Sequence, residues 1–465
     1  MKRTNKGRAF IAWGLAAALG LGQVALLPQT ALADVRKADV VYGQTVDARG
    51  LSVSQCPSID AERAFVMGAD GTVYFERNAN DPAQIASITK IMTAVVALDA
   101  VDAGLASLDD TVTVSAEAAA VGESSAGLKE GDSMSLKTAI TAMLVPSGND
   151  AAVAISQAVG AKLRGAGGAS GDTDEDAFVS RMNSTASDLG CTDTVYNNPH
   201  GLDFDQYAGD LHSTASDQAK VVQHAMRNDL FRSVVSGGST SIQVTRAGQP
   251  TSISLQTTDG FLEISKDAIG VKTGFTDLAG ESFAGATNRN GNELYAIVLD
   301  SSSEGQRFLD ADTLCSWVYD HNVAYKLVNT SNTTTMSGTQ VPLVADVALS
   351  AWTDKTVKAT AADPNATANI FDLNGNVSQS VEYEKIDGTV HAGDKVGTIT
   401  YKQRNETVAT VDLIAAETVA GPNPIEAIGV WFSRLFGGFS GQQPEADSVL
   451  YNQTPLVVDK TSQAA

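Results

Sequence analysis

Cysteine, histidine and basic charge are what this 465-residue sequence has least of. Its three cysteines, Cys56, Cys191 and Cys315, are too few and too scattered for a disulfide scaffold or a Cys-x-x-Cys metal site, and at least one is unpaired within the chain. Cys315 lies in the apolar stretch Leu314-Cys315-Ser316-Trp317-Val318, which predicts a buried packing residue rather than a nucleophile. The five histidines show no His-x-x-x-His or similar spacing, so neither a catalytic metal nor another cofactor is expected. Lysine and arginine number 32 against 54 aspartates and glutamates, a formal charge of −22 that excludes nucleic acid as a natural partner.

Apolar runs are short except near the start. There Lys2, Arg3, Lys6 and Arg8 precede a run from Ala9 to Leu27 that ends in Ala31-Leu32-Ala33, the pattern of a secretory leader over 1–33. Glycines and Gln23 dilute the run, which argues against a permanent membrane anchor. Cleavage before Asp34 removes four cations and no acid, taking the formal charge from −22 to −26. The leader makes an exported protein the expectation.

The length and a hydrophobic content of 43% allow a full catalytic core and a second domain. After a leader segment over 34–60, residues 61–78 read as a hairpin, Ala64–Met67 and Thr72–Phe75 around Ala69-Asp70-Gly71. Ile85–Leu98 reads as a buried helix. Two helices, Leu136–Leu144 and Ala151–Val159, are broken at Pro146-Ser147-Gly148-Asn149, and the Gly-rich, acidic stretch 161–177 reads as an exposed insertion before a helix over Phe178–Leu189. Phe261–Thr276, Ser282–Asn288 and Glu293–Asp300 read as a three-strand meander, followed by a helix over Gln306–Tyr319. This predicts an α+β catalytic domain over 61–327, an antiparallel sheet flanked by helices. A linker over 328–340 then leads to a small all-β domain over 341–419, with Val396–Tyr401 and Val408–Ile414 as its clearest strands.

Asn423, Pro424 and Glu426 form a helix start, and the helix over 423–439 gathers Ile425, Ile428, Trp431, Phe432, Leu435, Phe436 and Phe439 into one apolar surface. It is too short to span a bilayer, so it lies in a membrane interface or docks on protein. Residues 440–465 read as disordered.

The chemistry concentrates in three motifs. In Ser87-Ile88-Thr89-Lys90 a spacing of three places hydroxyl and amine on one helical turn. A serine needs a neighbour to take its proton, and Lys90 serves once burial, a second cation and the helix dipole lower its pKa. Ser147-Gly148-Asn149 falls in the break between helices and Lys272-Thr273-Gly274 on a strand. Ser147 then relays a proton to the leaving amine, while Asn149 holds the substrate amide and positions Lys90. Lys272 and Thr273 bind a terminal carboxylate, and Gly274 lets the substrate backbone approach. The backbone N–H of Phe275 supplies an oxyanion donor beside that of the Ser87 helix end.

These motifs resemble those of the penicillin-binding and serine β-lactamase superfamily, and flanking residues narrow the likeness to the D-alanyl-D-alanine carboxypeptidases. Asp81-Pro82-Ala83, Met92-Thr93-Ala94, Asn149-Asp150-Ala151-Ala152, Asn198-Pro199-His200-Gly201-Leu202-Asp203, His212-Ser213-Thr214-Ala215 with Asp217, and Lys272-Thr273-Gly274-Phe275-Thr276 with Ala279-Gly280 all carry it. It spans about 60–325, and the β domain is similar to the family's C-terminal domain. The resemblance implies a β-lactamase/DD-peptidase-like fold, peptidoglycan stem peptides as substrate, β-lactams as covalent inhibitors, and structural roles for His200 and His212. Phe275 stands where the family often has histidine, which leaves fine substrate preference open. No Glu-x-x-Leu-Asn element is present, which counts against a class A β-lactamase. An endopeptidase or weak transpeptidase shares the same residues, and intact motifs argue against a non-catalytic penicillin sensor.

Overall fold

The computed structural model describes residues 39–41, 56–167, 170–439 and 446–457. The leader 1–33, its cleavage point and most of 34–60 lie outside them. Strands β1 (Asp39–Val41), β2 (Arg63–Gly68), β3 (Val73–Arg77), β4 (Ala268–Gly274), β5 (Glu281–Arg289) and β6 (Asn292–Ser301) pair antiparallel in the order β1-β3-β2-β6-β5-β4. Alternation assigns each residue to a face. Phe65 and Met67 of β2 join Tyr295, Ile297 and Leu299 of β6 in one core, while Ala64, Val66, Leu294, Ala296 and Val298 enter the other. A sheet covered on both faces reads as unbroken hydrophobic runs, as Ala-Phe-Val-Met does.

Helices α1 (Lys90–Asp102), α2 (Leu136–Leu144), α3 (Asn149–Gly165), α4 (Asp174–Asp188) and α5 (Ala215–Ala225) build the first core. Every residue of α1 from Lys90 to Leu98 is buried, which explains a helix apolar on all sides. On the opposite face α6 (Glu304–His321) contributes Phe308, Leu314, Cys315 and Val318. Phe283 packs edge-on against Phe261 and Phe308, with ring centroids 5.2 and 5.0 Å away. Cys191 and Cys315 are buried, their thiols pushed up to about 12 by burial, and no disulfide forms among the three cysteines.

The structure departs from the sequence reading at four places. The expected strand Phe261–Thr276 begins as a helical turn, Phe261–Ile264, because the Asp259 carboxylate accepts the Phe261 N–H at 3.0 Å; the strand starts at Ala268. A hairpin unforeseen in sequence, Thr240–Arg246 with Gln249–Leu255, turns at Ala247-Gly248. The stretch 161–177 is largely helical: α3 runs to Gly165, and α4 starts at Asp174 behind a capping box between Thr173 and Asp176. Gly160 lies inside α3 as a contact point, since a Cβ there would lie 1.9 Å from the Asp174 carbonyl oxygen. Residues 168 and 169 of this stretch lie outside the described residues.

At the head of α4 the Glu175 carboxylate accepts the Ser156 hydroxyl at 3.4 Å, and burial followed by the Glu117 charge pushes it up to about 7. An acid whose folded pKa is raised gives stability that is complete below its unfolded pKa and is lost as pH rises through the folded one. Glu175→Gln is therefore expected to match the parent near pH 4.5 and to exceed it above pH 7 by about 2 kcal/mol, read by melts at both pH values.

The fourth departure is in the β domain. Its main sheet orders Ser378–Tyr383, Lys395–Gln403, Glu406–Ala415, Thr356–Ala361, Ala345–Ala348 and Val449–Leu450. Asn322–Lys326 already pairs with Thr367–Phe371, and the expected linker 328–340 holds most of the hairpin Thr333–Met336/Thr339–Pro342. Ser337 and Gly338, at φ 50° and 84°, make its turn, so composition that reads as a linker encodes a tight hairpin. The tail over 440–465 is not disordered throughout. Val449–Leu450 pairs with Ala345–Asp346, and buried Asn452 donates to the Leu327 carbonyl, the Gln379 side chain and the Tyr401 hydroxyl while accepting the Asn329 N–H. Residues 440–445 and 458–465 lie outside the described residues.

Helix α7 (Pro424–Phe439) precedes that return. Asn423 and Glu426 cap it reciprocally, as the sequence predicts. Arg434 ties it to the Ser350 and Trp352 carbonyls, but Ile425, Trp431 and Phe436 are 82%, 58% and 66% exposed. The β domain does not cover this face; the Phe439 side chain lies outside the description. Among the described residues no helix is long and apolar enough to cross a membrane.

Candidate active site

Ser87 lies in a 3-10 turn, Ala86–Thr89, whose buried Ile88 anchors it under β4, and α1 continues from Lys90. The Lys90 Nζ donates to Ser87 Oγ at 2.8 Å and to the His200 carbonyl at 2.8 Å. Burial, then the neighbouring Lys272 charge, hold the Lys90 amine well below its ordinary pKa, against the opposing pull of Asp150.

The loop Asn198–Asp203 clamps this turn. The Asn198 side chain accepts the N–H groups of His200 and Gly201 and donates to the Leu202 carbonyl; the Thr93 hydroxyl donates to the Pro199 carbonyl at 2.6 Å. Gly201, at φ 96°, lies so close that a Cβ would stand 1.9 Å from the Ala86 carbonyl oxygen. The His200 ring accepts the Leu202 N–H, and burial pushes it down to about 3, so it is neutral. His212 pairs with Asp210. Neither ring lines the cleft, although the His200 carbonyl holds Lys90.

Ser147 occupies the α2–α3 turn at φ 64°, and its hydroxyl accepts from Lys272 Nζ at 2.9 Å. Asn149 opens α3; its amide donates to the Gly122 carbonyl at 3.1 Å, and its Oδ1 is buried without a partner. No hydrogen bond joins it to Lys90, contrary to the sequence reading. Asp150, to which that reading gave no role, fastens the facing loop by accepting the Ala126 and Leu128 N–H groups and the Ser125 hydroxyl.

From β4, the Lys272 ammonium also donates to the Thr273 carbonyl, and the Thr273 hydroxyl meets that of Thr258 at 2.8 Å. Burial and the Arg307 charge lower Lys272 to about 7, with Asp259 opposing. A Cβ on Gly274 would fall 2.6 Å from the Ile85 carbonyl oxygen, so this glycine lets β4 pack on the Ser87 turn.

These groups border a cleft of about 520 Å³ lined by Ser87, Ser147, Asn149, Thr258, Thr273, Gly274, Phe275 and Arg307 among others. Lys90 and Lys272 stand behind that lining. Arg307, absent from the sequence reading, is the cation that reaches it, held by Glu281, Glu304 and the Gly274 carbonyl. Nothing in sequence marks it out, since it is one arginine on an ordinary amphipathic helix. Among the described residues no cluster of His, Cys, Asp and Glu is arranged to hold a metal ion.

Residues 51–303 match the family model described as D-alanyl-D-alanine carboxypeptidase, more than half of the chain. The chain belongs to this family. It is a serine-type D-alanyl-D-alanine carboxypeptidase, a hydrolase, and residues 336–420 match the C-terminal domain of penicillin-binding protein 5. The D-alanyl-D-alanine carboxypeptidase DacF of Bacillus subtilis is 24% identical over 361 residues, 77% of this chain and 85% of that protein. A D-alanyl-D-alanine carboxypeptidase from Streptomyces sp. strain K15 is 30% identical over 56% of this chain and 88% of its own length. Among solved structures, the Streptomyces K15 DD-transpeptidase is 28% identical, covering 57% of this carboxypeptidase and 98% of that chain at a TM-score of 0.50. The DacD carboxypeptidase of Francisella tularensis, 21% identical with a TM-score of 0.54 over 78% of this chain and 95% of its own, shares the fold.

Proposed function

We propose that the protein releases the terminal D-alanine from peptidoglycan stem pentapeptides through an ester on Ser87. The observation that carries this is the 2.8 Å contact between Ser87 Oγ and a Lys90 amine whose pKa burial and the Lys272 charge hold well below its ordinary value. Lys90 takes the Ser87 proton as Oγ attacks the penultimate D-alanine carbonyl, and the backbone N–H groups of Ser87 and Phe275 receive the oxyanion. Ser147 gives its hydroxyl proton to the leaving nitrogen and regains one from Lys90, so that the proton taken from Ser87 ends on the leaving amine and Lys90 is free again; the C–N bond breaks and D-alanine departs. Water then hydrolyses the ester, with Lys90 as base again. Asn149 offers its unpartnered Oδ1 to the substrate amide. Thr273 and Arg307 contact the terminal carboxylate directly, and Lys272 adds charge from behind. β-Lactams acylate the same serine. The test is mass spectrometry of the purified protein with penicillin and with diacetyl-lysyl-D-alanyl-D-alanine: a lasting adduct on the Ser87 peptide together with released D-alanine supports the proposal, and rapid turnover of penicillin overturns it in favour of a β-lactamase.

The Lys272 value sets a pH limit. As a cation held near 7 it loses its proton, and with it part of the anion's attraction, as pH rises. Because kcat/KM reports the free enzyme, it is expected to fall above about pH 7, while kcat falls later since bound carboxylate holds the proton on.

The leader pattern over 1–33 supports export, and the uncovered face of α7 supports contact with the outer membrane surface. The protein is expected to co-sediment with lipid vesicles, and Trp431→Ala with Phe436→Glu to weaken that binding by about tenfold. Unchanged binding would remove α7 from the contact.

A further inference from the structure

The cleft separates charge by depth. Its cations lie deep: Lys90 and Lys272 behind the lining, and Arg307 within it but committed to Glu281, Glu304 and the Gly274 carbonyl. Every other charged residue in the lining is an acid: Glu123, Asp203, Asp277 and Glu304. Glu123 is exposed on the loop that Asp150 fastens, and Asp277 is exposed in the turn after β4. Asp203 differs from these. It is only 5% exposed; its Oδ2 accepts the Thr276 hydroxyl at 2.7 Å, while Oδ1 is buried without a partner. With Oδ1 itself buried, Asp203 adds negative charge to the wall of the cleft rather than an oxygen that a ligand can touch.

This arrangement suits a substrate with one carboxylate at its scissile end and positive charge further up the chain. Resting on the stem-peptide reading above, we infer that the acidic lining selects stems whose third residue, next before the D-alanine pair, ends in an uncompensated ammonium, as L-lysine does. A diamino diacid at that place brings a second carboxylate against Glu123, Asp277 and Glu304, and an acylated lysine brings no charge.

The test compares D-alanine release from three peptides ending in D-Ala-D-Ala: Nα-acetyl-L-lysyl, Nα,Nε-diacetyl-L-lysyl and Nα-acetyl-meso-diaminopimelyl. The free ammonium is expected to raise kcat/KM about fivefold over the diacetyl peptide at low salt, with the diamino diacid slower than free lysine. About 0.5 M salt should erase most of the difference, as it does between exposed charges. In the doubly substituted Glu123→Gln, Asp277→Asn protein, its melting temperature confirming the fold, the preference is expected to shrink below about twofold. Equal rates for all three peptides overturn the inference, and so does a preference that survives in the double variant, which would belong to the net charge of the whole molecule. Turnover of none of the peptides is a different failure, that of the carboxypeptidase reading itself.

Discussion

Ser87→Ala is expected to abolish penicillin labelling and to lower D-alanine release by about 10⁴-fold or more, the scale on which loss of a catalytic serine is felt. The contrast with a merely structural serine lies in what remains. Ser87 Oγ accepts one hydrogen bond, from Lys90, and that amine keeps the His200 carbonyl when the hydroxyl is gone. The variant is therefore expected to melt within about 2 °C of the parent, since one net hydrogen bond near 1 kcal/mol is at stake. A covalent penicillin adduct on the folded variant would sink the nucleophile assignment.

Gly201→Ala is expected to do the reverse, damaging the fold first and the chemistry through it. At φ 96°, with the Ala86 carbonyl oxygen 1.9 Å from where a methyl group would go and the Ser87 nitrogen 3.0 Å away, one of the two loops must move. Backbone strain and displaced packing together put the loss at about 3 kcal/mol or more. Gly190→Ala is the control: its φ is 72° but nothing lies within 4 Å of the added carbon, so it costs about 1 kcal/mol. Thermal melts of the two variants measure the difference. Equal melting temperatures would show that the 198–203 loop yields freely and does not hold the Ser87 turn.

The same pair of glycines shows what sequence can and cannot tell. Both look alike as letters, and only the three-dimensional neighbour separates them. Gly160 has no mark in sequence of the close contact it allows between α3 and α4; Ser337-Gly338 resembled linker and closes a hairpin. By contrast α1 and the strands at 64–67 and 294–299 were plain in sequence, because burial on every side leaves few polar letters. In the site, the Ser87–Lys90 pair was legible because one helical turn fixes it. Arg307, which comes from α6, carries no local mark, and Asp150 stood within a motif that gave no sign of its reach across to the 125–128 loop. Lys272 was found, but its retreat behind the lining depends on Ser147, 125 residues away.

The return of the chain after α7 bears on how the enzyme would be released from the membrane contact proposed for that helix. Because Val449–Leu450 is laced into the same sheet that precedes the helix, and Asn452 is bolted beneath Tyr401, the helix is a closed excursion. A protease that nicks it leaves both stumps gripped by one domain. Release from the proposed contact would then take two events, scission and the peeling of a strand, and truncation at residue 420 removes a piece of the sheet along with the helix.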